Sequence, residues 1–346
     1  DAFFQPSTSS DTATLYAHCA LALDQSMQLT GELGIPLIGG GDWNDGMNRV
    51  GEGGRGQSVW LGWHLIPAWR RFARYAETRE PERAARWLAH ADSVRAAIER
   101  HAWDGEWYRR ATYDDGTWLG SKDSDECRID SIAQTWSILS GAGEPERAAQ
   151  AMQSVGRHLV DPERRIVKLF TPPFDKTDHD PGYIRSYPPG LRENGGQYSH
   201  AAMWTILAAA RMGDGDLAVR LFGHLNPINH ALNAADAAHY RVEPYVVAAD
   251  VYSVPPNDGR GGWTWSMAAA RSTSWAWWPM PPWRTAPRWS SPRRRSRRTT
   301  LTSTTPSPTG SPGRLRVAGS PTSTPTPTTR PATTSPPARR SGTRPR

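Results

Sequence analysis

The residues able to do chemistry fall in three short stretches of this 346-residue chain. The densest is Gly39-Gly40-Gly41-Asp42-Trp43-Asn44-Asp45-Gly46-Met47-Asn48, which sets two carboxylates, an indole and two amides on one loop. An EF-hand calcium loop needs glycine at its sixth position and a bidentate glutamate at its twelfth. Counting from Asp42, the sixth residue is Met47, so that chemistry is excluded. A phosphate-cradling P-loop needs Gly-Lys-Ser/Thr, which is absent here. A carboxyl beside an indole loses hydration and holds its proton more tightly, as a glycosidic acid catalyst must. That chemistry fits the loop best.

The second stretch is Arg192-Glu193-Asn194-Gly195-Gly196-Gln197-Tyr198-Ser199-His200, on a loop that enters a helix. A helix N-terminus with His200 beside it suits an anion. The alternative is a structural histidine bonded to backbone, and spacing alone leaves both open. The third comprises Glu243-Pro244-Tyr245, Asp250 and Gly259-Arg260-Gly261-Gly262-Trp263-Thr264-Trp265. Asp175, Asp178, His179 and Asp180 imitate a metal-ligand set, but no helix-borne His or Cys pair accompanies them, so no metal site is expected. Cys19 and Cys127 are too few for a disulfide scaffold or a CxxC site and read as reduced helix residues.

These loops must be positioned by helices. Leu15, Cys19, Ala22 and Leu29 recur at helical spacing over 11–33, with Asp11 or Thr12 able to cap the start and Gly34 and Pro36 ending it. The same test predicts helices over 58–77, 82–101, 131 to about 141, 144–159, 200–212 and 215–225. No segment alternates long enough for a sheet core. Helices joined by Gly/Asp/Trp-rich loops predict an all-α helical barrel or solenoid, and the lack of a fixed repeat argues against a simple superhelix. Trp107, Tyr108, Trp118 and Tyr183 lie in those loops beside carboxylates and glycines. Flat rings among polar groups suit sugars, whose faces are apolar and whose rims carry hydroxyls. Packing at helix ends is the plainer alternative for each ring.

Four ordered stretches carry a family resemblance: GIPLIGGGDWNDGMNRVGEGGRGQSVWLGWHL, DECRIDSIAQTWSILSGAG, PPGLRENGGQYSHAAMW and YRVEPYVVAADVYSVPPNDGRGGWTW. Together they resemble glycoside hydrolase family 94, the inverting disaccharide and oligosaccharide phosphorylases, over residues 1–265. The last stretch most resembles the C-terminal phosphorylase-like domain of cyclic β-1,2-glucan synthases. The resemblance implies an (α/α)6 barrel of the six-hairpin glycosidase type, here incomplete, and glucosyl transfer to inorganic phosphate as co-substrate, with no cofactor. It implies Asp45 as the catalytic acid, Trp43 on the donor sugar, and Asp42 either orienting the loop or bonding a sugar hydroxyl. It further implies His200 on phosphate, Glu193 on the acceptor and Gln197 as a weaker substrate contact. Arg192 receives no role. An inverting hydrolase needs a carboxylic acid and a carboxylate base. Phosphate is already an anionic nucleophile, so one acid and an anion pocket suffice.

Two departures bear on activity. The family's upstream arginine-bearing motif precedes the first residue of this chain, and Trp263-Thr264-Trp265 runs into Ser266-Met267-Ala268-Ala269 instead of a Tyr-Thr-Gly stretch. The expectation is a fragment, inactive by itself, that belongs with the rest of a synthase at the cytoplasmic side of a bacterial inner membrane. Its partners would be a β-glucan oligosaccharide and phosphate. A stand-alone β-glucoside phosphorylase and a non-catalytic carbohydrate-binding remnant are the alternatives.

The charge balance supports a boundary. Residues 1–258 hold 25 basic and 34 acidic residues, a net of −9, whereas 259–346 hold 16 Arg and no acid. Residues 266–346 are rich in Arg, Pro, Ser and Thr, a composition that cannot build a core and predicts disorder. The abrupt end of the resemblance inside a motif fits a reading-frame slip near Ser266 better than a nucleic-acid-binding tail or a linker, so no nucleic-acid partner is expected. No apolar run is long enough to span a membrane, and the first residues lack the blocks of a signal peptide.

Overall fold

The computed structural model describes residues 10–244 and 246–262. Every described residue belongs to one compact unit. Tyr245, Trp263, Thr264, Trp265 and the tail from Ser266, including the expected boundary, lie outside the described residues.

Most helices begin at a side-chain cap. Helix α1, Leu15–Gln28, starts after Thr14, whose hydroxyl accepts the Ala17 N–H. It is shorter at both ends than the predicted 11–33, because Thr14 supplies the cap in place of Asp11 or Thr12. Helix α2, Val59–Ala76, is capped by Ser58, and α3, Pro81–His101, opens on a proline whose missing N–H costs nothing in a first turn. Asp130 caps α4, Ser131–Leu139, and Glu144 caps α5, Pro145–His158. Helices α6, Ser199–Arg211, and α7, Gly215–Leu225, follow. A final helix, α8, Ala234–Tyr240, was not expected; seven residues are too few to display a period, and Asn233 starts it by accepting the N–H of Ala235 and Asp236.

Consecutive helices pair as hairpins, α2 with α3, α4 with α5 and α6 with α7, and α4 packs between α2 and α6. All nine residues of α4 are buried, whereas α5 buries one stripe of Ala148, Ala151, Met152 and Val155. Helices α2, α4 and α6 therefore form an inner wall, backed by α3, α5 and α7. This is the hairpin-by-hairpin, all-α architecture of a six-hairpin glycosidase barrel. Trp63, Trp69 and Trp87 have no exposure and fasten α2 to α3. Truncating any one would cost about 3–5 kcal/mol.

The connections are unequal. Those within hairpins are short, while residues 29–58, 102–130 and 159–198 make long loops in front of α2, α4 and α6. Antiparallel pairs of two-residue strands stitch these loops together. Ile129–Asp130 pairs with Phe170–Thr171, and Gln197–Tyr198 pairs with Asp250–Val251. A single bridge joins Ser58 to Ala111. The long loops thus gather at the N-terminal ends of the inner helices.

Candidate functional site

His200, in the first turn of α6, meets Trp43 from the Gly-rich loop. The Trp43 Nε1–H donates to His200 Nδ1 at 3.1 Å. Indole nitrogen can only donate, so Nδ1 must accept and a neutral His200 carries its proton on Nε2. Burial holds the imidazole below its ordinary pKa, favouring that neutral form. The Trp43 ring lies edge-on to Tyr198 at 5.4 Å, and Trp204 packs 4.4 Å from the His200 ring. Trp60 of α2 and Trp136 of α4 close the aromatic floor against Trp204.

Asp45 opens a short 3₁₀ turn, Asp45–Met47, and is exposed. The sequence placed it beside an indole that would strip its water. Trp43 is instead turned toward His200, and the aromatic neighbour of Asp45 is Tyr183. Burial first, then the nearby Asp45 carboxylate, push the Tyr183 phenol well up. Tyr183 begins a second 3₁₀ turn, Tyr183–Ser186, clamped to the first. The Tyr183 N–H donates to Asn48 Oδ1 at 3.0 Å, and Arg49 pairs with Asp180 at 2.6 Å. Gly182 has φ of +111°, and a Cβ there would strike the Asn48 side chain and the Gly46 carbonyl, so the clamp requires glycine.

Glu193 completes the group. It is buried, its Oε2 lies 3.4 Å from Arg192 Nε, and Tyr198 hydrogen-bonds its carboxyl. Burial raises its pKa, Arg192 and Tyr198 oppose the rise, and the nearby Asp45 charge adds to it. Oε2 is shielded from water and accepts no hydrogen bond from the described residues. Arg192, unassigned from sequence, stacks its guanidinium on Tyr187 at 4.6 Å and has a left-handed φ of +50°. His200, Trp43 and Tyr198 are in direct contact, and Glu193, Asp45 and Tyr183 lie within electrostatic reach of one another beside them.

Asp42 and Gln197 have other work than the substrate contact the sequence allowed them. The Asp42 side chain has no exposure and receives Arg110 on both oxygens, Nη2 at 2.6 Å and Nη1 at 2.7 Å. The Ser58 hydroxyl donates at 2.5 Å and the Asn44 N–H at 3.0 Å. Burial alone would raise this carboxyl, but Arg110 and these donors outweigh it and hold it below the usual range. These bonds tie the Asp42 loop to the strand before α4. The Gln197 amide carbonyl accepts the Val167 N–H at 2.7 Å inside the core, so it fastens a loop strand.

Arg110 and Asp130 were missed. Arg110 Nε donates to Asp130 at 3.1 Å, and burial pushes Asp130 up to about 6 despite that bond and the Ile132 N–H it caps. No local signal marks Arg110, whose partners lie 68 and 20 residues away. The acidic cluster expected not to bind metal is dispersed into other contacts: His179 meets Asp115 and Asp180 meets Arg49. Among the described residues no group of His, Cys, Asp and Glu has the arrangement of a metal site.

An inner wall of helices carries carboxyl, tyrosine and indole groups across its N-terminal loops, the arrangement of an all-α helical-barrel domain. The chain belongs to the glycosyl hydrolase 94 superfamily, whose catalytic-domain model matches residues 2–278. It is 56% identical over 271 residues to the cyclic beta-(1,2)-glucan synthase NdvB of Rhizobium meliloti (strain 1021), covering 78% of this chain and 10% of that protein. It is 32% identical to the solabiose phosphorylase of Paenibacillus borealis, over 74% of this chain and 33% of that one. The N,N'-diacetylchitobiose phosphorylase of Vibrio furnissii is also 32% identical, over 77% of this chain and 32% of its own length. The chain therefore spans about a third of these phosphorylases and a tenth of the synthase.

Proposed function

We propose that this domain performs inverting phosphorolysis of β-1,2-glucan within a cyclic glucan synthase, trimming chain length. The observation that supports the reading is the gathering of the exposed Asp45, with Tyr183 and Glu193 in its neighbourhood, and the Trp43–His200 pair on the loops before the inner helices. Asp45 gives its proton to the glycosidic oxygen as the sugar–oxygen bond breaks. Phosphate oxygen bonds the anomeric carbon from the opposite face, giving a glucosyl phosphate of inverted configuration and a shortened glucan. Asp45 is left as carboxylate and regains a proton from solvent. The Nε2–H of neutral His200 donates to phosphate, and Glu193, paired with Arg192, accepts from a hydroxyl of the leaving sugar. Trp43 serves the donor sugar by shaping its wall with the indole face, while Asp42 keeps the loop in place. Phosphate is the co-substrate, no cofactor takes part, and the site of action is the cytoplasmic face of a bacterial inner membrane. No helix among the described residues is long and apolar enough to cross a membrane.

The likeness to solabiose phosphorylase favours a second reading, a phosphorylase of short β-glucosides. The test is glucose 1-phosphate release from β-1,2-glucan and from β-linked disaccharides by the native protein that carries this chain. Asp45→Asn should lower release from the glucan by about 10²- to 10⁴-fold. Unchanged release would refute the assignment of Asp45, and release from disaccharides alone would favour the second reading. The 346-residue chain by itself should turn over little. Positioning contributes about 7–11 kcal/mol in favourable cases, and His200 holds phosphate at one point.

A further inference from the structure

Each helix of the inner wall gives one indole to the aromatic floor beside His200: Trp60 from α2, Trp136 from α4 and Trp204 from α6. We infer that Trp204 is a positioning residue, which holds the His200 ring in the attitude that keeps Nδ1 on Trp43 and leaves Nε2–H for an anion. That the anion is phosphate rests on the phosphorolytic reading. That Trp204 sets the ring does not.

A hydrogen bond restrains a ring at one atom. The imidazole turns about two side-chain torsions, and the Trp43 Nε1–H, 3.1 Å from Nδ1, leaves the plane of the ring free to swing about that point. Trp204 supplies the missing restraint. It follows His200 by four residues on α6, so both side chains stand on one face of the helix. Their ring centroids are 4.4 Å apart, with the planes at 51°. The same indole lies 5.4 Å from the Trp43 ring, while Trp43 and His200 are 5.7 Å apart centre to centre. Trp204 therefore packs on both members of the bonded pair, and three rings in mutual contact leave each less room to turn than two.

Trp204 is itself held from behind. Trp60 stacks on it at 6.1 Å, Trp136 meets it edge-on at 5.2 Å, and those two cross at 6.0 Å. His64 backs them in turn, 5.0 Å from Trp60 and 4.8 Å from Trp136. None of the three indoles is more than 9% exposed. Close-packed rings cannot change rotamer without moving their neighbours. The attitude of His200 is thus set by three helices, and only its protonation by the loop that bears Trp43. A Trp204 that merely filled the core would affect stability alone. A positioning Trp204 affects the tautomer of His200 and its hold on phosphate.

The experiment replaces Trp204 with Met, which fills apolar space but has no flat face, and with Phe, which keeps one. In the 346-residue chain, the ring-nitrogen NMR shifts of neutral His200 should report the Nε2–H tautomer in the wild type and in Trp204→Phe. Trp204→Met should give a mixture of both tautomers. In the native protein that carries this chain, Trp204→Met should raise KM for phosphate at least about tenfold and leave KM for the glucan within about twofold, with Trp204→Phe close to wild type. Adding Trp43→Phe to Trp204→Met should raise KM for phosphate no further than the larger single change, because both act through one bond. A lone Nε2–H tautomer in Trp204→Met, equal rises in both KM values, or effects of the two substitutions that multiply would overturn the positioning role. Mixed tautomers in the wild-type chain would overturn it too, and that measurement needs no variant to fold. A tautomer mixture in Trp204→Met with KM for phosphate unchanged would uphold the positioning of His200 and remove phosphate as its ligand.

Discussion

Trp43 and His200 stand 157 residues apart, and the bond between them fixes which nitrogen of the imidazole carries a proton. Protonating His200 would set two N–H groups against each other, so the Trp43 bond and burial act in the same direction. Trp43→Phe should therefore raise the His200 titration midpoint toward about 6.5, read from its ring proton shifts by NMR. The sign for stability follows. A histidine whose folded pKa is depressed costs nothing above about pH 6.5 and destabilises progressively as pH falls below it. Wild-type stability should rise over that window, and less steeply in the variant. Both residues were singled out from their motifs. Their bond was not legible, nor was the nearness of Tyr183 to Asp45, because neighbours on a loop are set by other loops and not by local spacing.

Among the elements, the loop before α2 and the start of α4 are joined through one guanidinium. Arg110, without exposure, sits between Asp42 and Asp130, which caps α4. Removing it leaves Asp42 as an uncompensated buried charge, so Arg110→Met should cost about 3–5 kcal/mol in urea denaturation at neutral pH. The two carboxyls respond oppositely to pH. Asp42, held low, contributes stability above about pH 4 that is lost in stronger acid. Asp130, raised to about 6, favours the folded state while protonated, and that advantage fades as pH climbs from about 4 through 6. Asp130→Asn keeps an acceptor for the α4 cap and should make stability less sensitive to pH across 4–6, measured by melts in a buffer series. The seven longer helices were legible because apolar residues recur at helical spacing along each. Helix α8 and the two-residue strands were not: they are too short to have a period, and the pairs at 129–130 and 197–198 join residues 40 to 54 positions apart.

For the described unit as a whole, burial is unevenly spread. Every residue of α4 is buried, whereas α1 buries Ala20 and leaves Leu15 79% and Leu21 58% exposed. Amide hydrogen exchange should run slowest in α4 and fastest in α1, by at least tenfold in protection. Comparable protection in both would mean that α1 is held by more than the contacts described. The barrel class was legible from helix count and loop composition. The division into inner and outer helices was not, because α2 and α3 both carry buried tryptophans, and only the neighbours of each helix reveal its layer.

The short connections within the hairpins, at 77–80, 140–144 and 212–214, leave from the C-terminal ends of α2, α4 and α6, the ends away from the candidate acid and its partners. A fluorophore, an affinity tag or a surface tether could be grafted at any of these bends without crossing the path of a sugar. An immobilised form attached at residues 212–214 would keep its reactive rim toward the liquid, giving a reagent oriented by its own architecture.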